Sequence, residues 1–472
     1  MDISGAELVK RIAKLVRQNQ DMVRENENLK EKIRKATQKI EKLELILESS
    51  KFDKEGSGKK YLTRPSSEKF EMATVMFANI HGFAKIKEGM DSIAMMDELD
   101  EIIFKFDEIL KSHNIEKIKT IGDSIMAAGG IPKKNITNPV QVVLAALEMQ
   151  KFLKDHAKKK GKQSDIWELK IGIHTGPVTA TANGKKKITY DIKGDTVNMA
   201  SRMHSYAQKG DVIISVMTYE LIKEFFLCEY FGKMPVKYKE DLQLFSVLSL
   251  RPEYASQKEG YMINSRFDTK FKLIQFTDIQ EIILDKLEKE LPPYLYYHNV
   301  KHTVDVVTEV ELIGWAEGIS DEDILLLKTA ALFHDAGHII SYDDHEFHGT
   351  VISKEILPDF GYSKEQIDRI SELIMATKLP PRPSNLLEEI ICDADLDYLG
   401  RSDMIPVSNT LYSELKEQNK INSMEEWNNL QIKFISTHQY FTETARNLRK
   451  ENKQKQIQRI KNILENSSQE KF

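Results

Sequence analysis

The sequence predicts an α+β multidomain chain with three parts. These are an N-terminal parallel coiled coil, a mixed sheet domain of βαββαβ order, and an all-α C-terminal domain. Three observations carry this reading. An unbroken heptad occupies residues 1–48, short apolar strands alternate with amphipathic helices over 70–251, and helical periodicity alone runs through 267–465.

In the first part, Leu8, Leu15, Met22, Leu29, Ala36 and Leu43 share one core position of the heptad. Ile12, Asn19, Asn26, Ile33, Ile40 and Leu47 share the other. β-Branched Ile with Asn at one position and mainly Leu at the other favours a parallel two-stranded form, in which paired Asn residues fix register. Residues 49–69 carry K-E-G-S-G-K-K and R-P-S-S, a polar linker with little to bury.

In the sheet domain, Met72–Phe77 reads as a strand and Met90–His113 as a helix. The segment I-K-T-I-G-D-S-I-M-A-A reads as a hairpin. Asn138 and Pro139 announce a second helix as its cap and first turn, with Val140, Val143, Leu144 and Leu147 on one face. Leu169–Val178 forms the next strand. This order fits a ferredoxin-like sheet with helices on one side. A connector spans 252–266, and Glu372–Thr377, Pro380–Pro383 and the polar tail after Asn447 mark breaks in the helical part.

Composition narrows the class. Net charge is −5, which offers no electrostatic basis for a nucleic-acid partner. The 2 cysteines, Cys228 and Cys392, are isolated, as expected in a reducing compartment. No apolar run approaches membrane-spanning length, and Ile12, Leu15 and Val16 are interleaved with Lys and Arg rather than forming a signal-peptide core. The expected location is cytoplasmic.

The most informative stretch is Asp191–Arg202, D-I-K-G-D-T-V-N-M-A-S-R. An acid in an extended segment is followed by a turn at Gly194 and a helix carrying Asn198 and Arg202, four residues apart on one face. An amide beside a guanidinium makes a poor core and a good ribose and phosphate contact. The run closely resembles the nucleotide-binding signature of class III nucleotide cyclases. That resemblance implies Asn198 and Arg202 as catalytic residues, one orienting the ribose and the other stabilising phosphate charge. It also implies Lys119 and Asp191 as the adenine-reading pair, Lys237 as a phosphate contact, and ATP as substrate.

Cyclisation in this family uses two divalent cations, Mg²⁺ or Mn²⁺, held by carboxylates. Asp123 matches the hairpin acid, while Asn79 in F-A-N-I-H-G-F stands where the family has Asp. One negative charge is therefore missing, and weakened metal affinity or dependence on Mn²⁺ follows. The stretch after G-P-V reads T-A-T-A-N-G, a second departure from the family. In the family each site draws on two protomers, so the resemblance implies a homodimer, in keeping with the heptad.

In the helical domain, His298 and His302 share a helical face in Y-H-N-V-K-H-T. His334-Asp335 follows in F-H-D-A-G-H, and Asp393 and Asp395 in C-D-A-D-L-D. This inventory suits a hydrolytic metal site. It resembles the HD superfamily of phosphohydrolases, and its opening is similar to that of cyclic-nucleotide phosphodiesterases. The resemblance implies His302, His334, Asp335 and Asp395 as ligands of Mn²⁺, Fe²⁺, Mg²⁺ or Zn²⁺, and His298 as proton donor to the leaving oxygen. Asp393 is the rival fourth ligand, and His338 and His345 could support a second metal. The implied ligands are ATP and a cyclic nucleotide. The alternative left open is a hydrolase whose degenerate cyclase domain senses nucleotide.

Overall fold

The computed structural model describes residues 67–82, 92–160, 167–183, 189–236, 240–256 and 262–469. The heptad of 1–48 lies outside the described residues, as does Lys237.

Strand β1 (Ser67–His81) is the spine of the first domain. It pairs antiparallel with β3 (Ser124–Gly129) on one side and β4 (Glu168–Asn183) on the other. With β2 (Glu116–Ile121), β5 (Thr189–Lys193), β6 (Val212–Ser215), β7 (Phe226–Met234) and β8 (Leu242–Leu250) it completes an 8-stranded sheet. The order is β2-β3-β1-β4-β6-β8-β7, with β5 pairing on β4. The β2-β3-β1-β4 part is the arrangement expected of a βαββαβ unit.

Strand β1 is buried on both faces because its alternate residues enter two different cores. Met76, Ala78 and Ile80 pack with helices α1 (Ser92–Ser112) and α2 (Asn138–Lys160). Val75 and Phe77 point the other way, into a core shared with Ala200 of helix α3 (Asp195–Met203). Helices therefore cover both faces, not the single side expected from sequence. Gly172 of β4 permits this: a Cβ there would stand 2.3 Å from the His204 backbone nitrogen.

A second difference concerns Asn138. Its side chain is fully buried and accepts from Thr74 Oγ1 at 2.6 Å, so it ties helix to strand. The Thr137 carbonyl receives the first helical N–H groups instead.

Helix α4 (Val216–Ile222) completes the sheet domain. Helix α5 (Ser265–Glu290) then joins it to the helical one. Its Phe267 lies in the sheet core, 5.0 Å from the Phe225 ring, whereas Phe276, Ile279, Ile283 and Leu287 lie in the helical core. Asp278 accepts the Ile136 backbone N–H with both oxygens, at 3.1 and 3.2 Å.

The helical domain continues with α6 (Val300–Glu317), α7 (Asp321–Phe333), α8 (His345–Ile356), α9 (Lys364–Ala376), α10 (Leu386–Asp395), α11 (Met404–Glu417), α12 (Met424–Thr437) and α13 (Glu443–Gln469). Local chemistry sets the starts: Asn299 caps α6, Ser320 caps α7, and Ser363 with Gln366 forms a capping box on α9. Two expected breaks differ. The break at Glu372–Thr377 comes only at its end, with Thr377 capping α9, because Ile370, Leu373 and Ile374 form a buried stripe that carries the helix to Ala376. The polar tail is α13, anchored where Asp393 accepts the Phe441 and Thr442 N–H groups. No helix among the described residues is long and apolar enough to cross a membrane.

Candidate active sites

The first constellation forms where β1 meets the β2–β3 turn. Asn79 is only 5% exposed and is paired in register with Ser124. Its Nδ2 donates to Asp123 Oδ1 at 2.8 Å and to Ser124 Oγ at 2.6 Å. Its carbonyl Oδ1 is buried without a hydrogen-bond partner. The turn is held by the Ile80 N–H donating to the Asp123 carbonyl at 2.9 Å. A neutral amide oxygen left unpaired beside a carboxylate costs about 1–3 kcal/mol unless something accepts its lone pairs. A hard cation is a fitting acceptor.

On the same sheet, Lys119 of β2 donates to Asp191 of β5 at 2.9 Å. The hydrogen bond from Lys119 holds the Asp191 carboxyl below the usual range. Both side chains remain partly exposed, so a donor and an acceptor stand side by side within reach of a ligand. Asn198 is exposed on α3, while Thr196, Ala200 and Met203 form the buried face. Arg202 is also exposed and donates to the Pro235 carbonyl at 2.7 Å. The departure after G-P-V continues as regular β4, with Thr179–Asn183 paired to β5.

The second constellation is assembled by α6, α10 and the end of α7. His302 Nε2 lies 3.1 Å from Asp395 Oδ1 and 3.4 Å from both His334 Nε2 and Asp335 Oδ2. His334 Nε2 lies 3.3 Å from Asp335 Oδ2 and 3.5 Å from Asp395 Oδ1. Ligands about 2.1 Å from one ion have mutual spacings of about 3.0–3.4 Å, so these four side chains fit a single divalent cation. The His334 Nδ1–H donates to the Ala331 carbonyl at 2.8 Å, which directs Nε2 at the cluster. Asp393 is turned away into the cap of α13.

His298, Asp335 and His338 form an adjoining group whose ligand atoms lie within 4.8 Å of one another. Asp335 Oδ2 and both His338 ring nitrogens have no hydrogen-bond partner. The His345 ring stacks on His338 with centroids 4.0 Å apart, and its Nε2 lies 3.5 Å from Asp335 Oδ1. Gly337 allows this approach, since a Cβ there would overlap the His345 carbonyl.

Burial alone would lower the His334 pKa, but the Asp335 and Asp395 carboxylates overcome it and raise it well above the ordinary value. Burial likewise works against His298, whose pKa is nevertheless raised by Glu414, Asp335 and Asp395. Burial drives His338 well down, leaving it neutral. Protons thus sit where a cation would otherwise balance the two carboxylates.

Residues 66–249 match the family model described as the adenylate and guanylate cyclase catalytic domain, and residues 299–397 match the HD domain. The chain joins a class III cyclase catalytic domain to an HD domain.

The chain is 31% identical over 209 residues to receptor-type guanylate cyclase gcy-8 of Caenorhabditis elegans, covering 43% of this chain and 18% of that one. It is 33% identical over 173 residues to an adenylate cyclase of Mycobacterium bovis, covering 37% and 38%. The chain therefore spans well under half the length of these curated relatives. Among solved structures, adenylyl cyclase CyaB from P. aeruginosa is 27% identical with a TM-score of 0.36, covering 40% of this chain and 100% of that one.

In the HD domain, sequence reading missed Glu414. It is fully buried, receives His298 Nδ1–H at 2.5 Å, and accepts the Tyr297 and His298 backbone N–H groups at 3.0 and 3.2 Å. Nothing in Y-S-E-L-K-E distinguishes it from a solvated helical glutamate. Also missed was the apolar wall of a cavity of about 580 Å³ that reaches His298, Asp335 and Asp395 and includes Trp427, Gln431 and Phe434. Trp427 Nε1 and Gln431 Oε1 are buried there without partners.

Proposed function

We propose that this chain is an adenylate cyclase that acts as a homodimer, converting ATP into 3′,5′-cyclic AMP and pyrophosphate. Its HD domain hydrolyses a phosphoester, with a cyclic nucleotide as the substrate class. The observation that carries the first half is the Lys119–Asp191 contact, which sets an ammonium and a carboxylate together at the sheet surface. An adenine edge offers an acceptor ring nitrogen to the first and an amine donor to the second. A guanine carbonyl would face the Asp191 carboxylate, leaving it unpaired at a cost of about 1–3 kcal/mol.

In cyclisation the ribose 3′-oxygen bonds to the α-phosphorus, the bond to pyrophosphate breaks, and the hydroxyl proton is lost to solvent or base. Divalent cations bound at Asn79 and Asp123 would lower the hydroxyl pKa and neutralise phosphate charge. Asn198 orients the ribose and Arg202 stabilises the charge that grows on the phosphate. Arg202 gives one of its five N–H donors to the Pro235 carbonyl, which leaves the others for phosphate. Because the family shares each site between protomers, both halves recur twice in a homodimer.

In the HD domain, His302, His334, Asp335 and Asp395 would hold a metal ion that supplies a nucleophilic hydroxide near neutral pH. His298, kept protonated by Glu414, gives its proton to the departing oxygen. The cavity lined by Trp427, Gln431 and Phe434 has room for a base.

A competition assay tests the cyclase half: equal ATP and GTP with Mn²⁺, products resolved by chromatography. Cyclic AMP in excess supports the base assignment, and cyclic GMP in excess sinks it. One observation favours a second reading, in which the cyclase domain only senses nucleotide. The Asn79 amide already satisfies Asp123 without a cation. Nucleotide binding with no cyclic product under any metal would select that reading.

A further inference from the structure

Asn79 removes one charge from the cyclase metal centre, and the next outward residue on the same face of β1 is His81. Residues two apart on a strand share a face. Ala78 and Ile80 point into the core with α1 and α2, so Asn79 and His81 point to the opposite side. There they flank one carboxylate: Asn79 Nδ2 is 2.8 Å from Asp123 Oδ1, and His81 Nδ1 is 4.0 Å from Asp123 Oδ2. That second distance exceeds a hydrogen bond and leaves room between nitrogen and oxygen. Asn79 Oδ1 is buried and unpartnered, and it becomes a third donor when the amide turns to exchange its oxygen for the nitrogen that now faces Asp123. His81 and Asp123 are 47% and 38% exposed, so an ion and its remaining waters can reach them.

We propose that His81 is a ligand of the cyclase metal centre. With Asp123 and the Asn79 carbonyl it makes a mixed nitrogen and oxygen site selecting Mn²⁺ and later first-row ions over Mg²⁺. An imidazole suits transition metals, whereas Mg²⁺ prefers oxygen and holds its water tightly. The site exchanges a carboxylate for an imidazole, and with it hardness for affinity toward softer ions. This deepens the cyclase reading and rests on it.

The test uses the whole chain with His302→Ala, Asp335→Ala and Asp395→Ala, so that neither histidine–carboxylate group of the HD domain competes for Mn²⁺. Electron spin-echo spectroscopy of bound Mn²⁺ reports nitrogen ligands directly. The expected result is imidazole nitrogen modulation that disappears in His81→Ala, with Mn²⁺ binding weakened about tenfold or more. In His81→Asp, which restores a hard oxygen donor, the preference moves toward Mg²⁺. No nitrogen modulation with His81 present, or modulation and metal preference unchanged in both variants, would overturn the assignment. Circular dichroism confirms that each variant is folded. The two readings fail separately. A nitrogen-ligated Mn²⁺ with no cyclic product leaves the ligand and removes the cyclase, and cyclic product with a nitrogen-free Mn²⁺ does the reverse.

Discussion

Replacing Asn79 by Asp tests the charge balance of the metal site proposed beside Asp123. In the wild-type chain the Asn79 amide nitrogen donates to Asp123 Oδ1 over 2.8 Å. An Asp puts an oxygen in that position and turns a hydrogen bond into a repulsion. Two carboxylate charges about 4 Å apart repel by about 4 kcal/mol at an effective dielectric of 20. Asp123 is 38% exposed, so water screening reduces this to roughly 2 kcal/mol. Without metal, the variant should therefore melt a few degrees lower than wild type. A bound dication removes the repulsion, and relief of about 2 kcal/mol tightens binding about 30-fold. Thermal melts across a Mg²⁺ and Mn²⁺ titration measure both effects, and the two melting temperatures should converge as metal saturates. The cyclase rate at limiting Mg²⁺ should rise in parallel. Equal melting without metal together with unchanged metal affinity would mean that Asn79 and Asp123 do not share an ion.

Three further outcomes follow from the same contacts. Arg202→Ala and Asp123→Ala should each abolish cyclase activity, while mixing the two variants should restore about one site per dimer, measured as cyclic AMP formed on subunit exchange. Metal loading of the HD cluster should release at least one proton at neutral pH, because His334 is held protonated by Asp335 and Asp395 and must become neutral to ligate. Calorimetry in buffers of different ionisation enthalpy measures this, and affinity should rise with pH. Burial raises the Asp278 carboxyl to about 6, above its ordinary value of 3.8. The native state therefore binds this proton more tightly than the unfolded chain, and the Asp278 contribution to stability is lost as pH rises from about 4 to 6. Asp278→Asn lacks this titration, so its melting temperature relative to wild type should climb across that window.

Much of both candidate sites was legible because the residues brought together there have local signatures. Histidines four apart, an adjacent His-Asp, and an amide four residues before an arginine are recognisable without tertiary structure. Glu414 was not, since its role arises only when α11 packs against the start of α6. Lys119 and Asp191 could be paired only through a family resemblance, because β2 and β5 meet after two intervening strands and a helix. In the fold, strand and helix order followed from periodicity. The second covered face did not, because the small residues that admit α3, such as Gly172 and Ala200, carry no periodic signal. Asn138 looked like a cap by residue type and is instead a buried tie to Thr74. A preference for turns and caps says which residue can bond a free N–H, not which partner tertiary packing presents.

On the proposed reading one chain both makes and consumes a cyclic nucleotide, and a time course of Mn²⁺-ATP with wild-type protein and with the His302→Ala, Asp395→Ala variant separates the two steps. Wild type should show cyclic AMP that rises and then falls into AMP, while the variant accumulates cyclic AMP without decay. Cyclic AMP absent from both would contradict the cyclase, and identical accumulation in both would contradict the hydrolase.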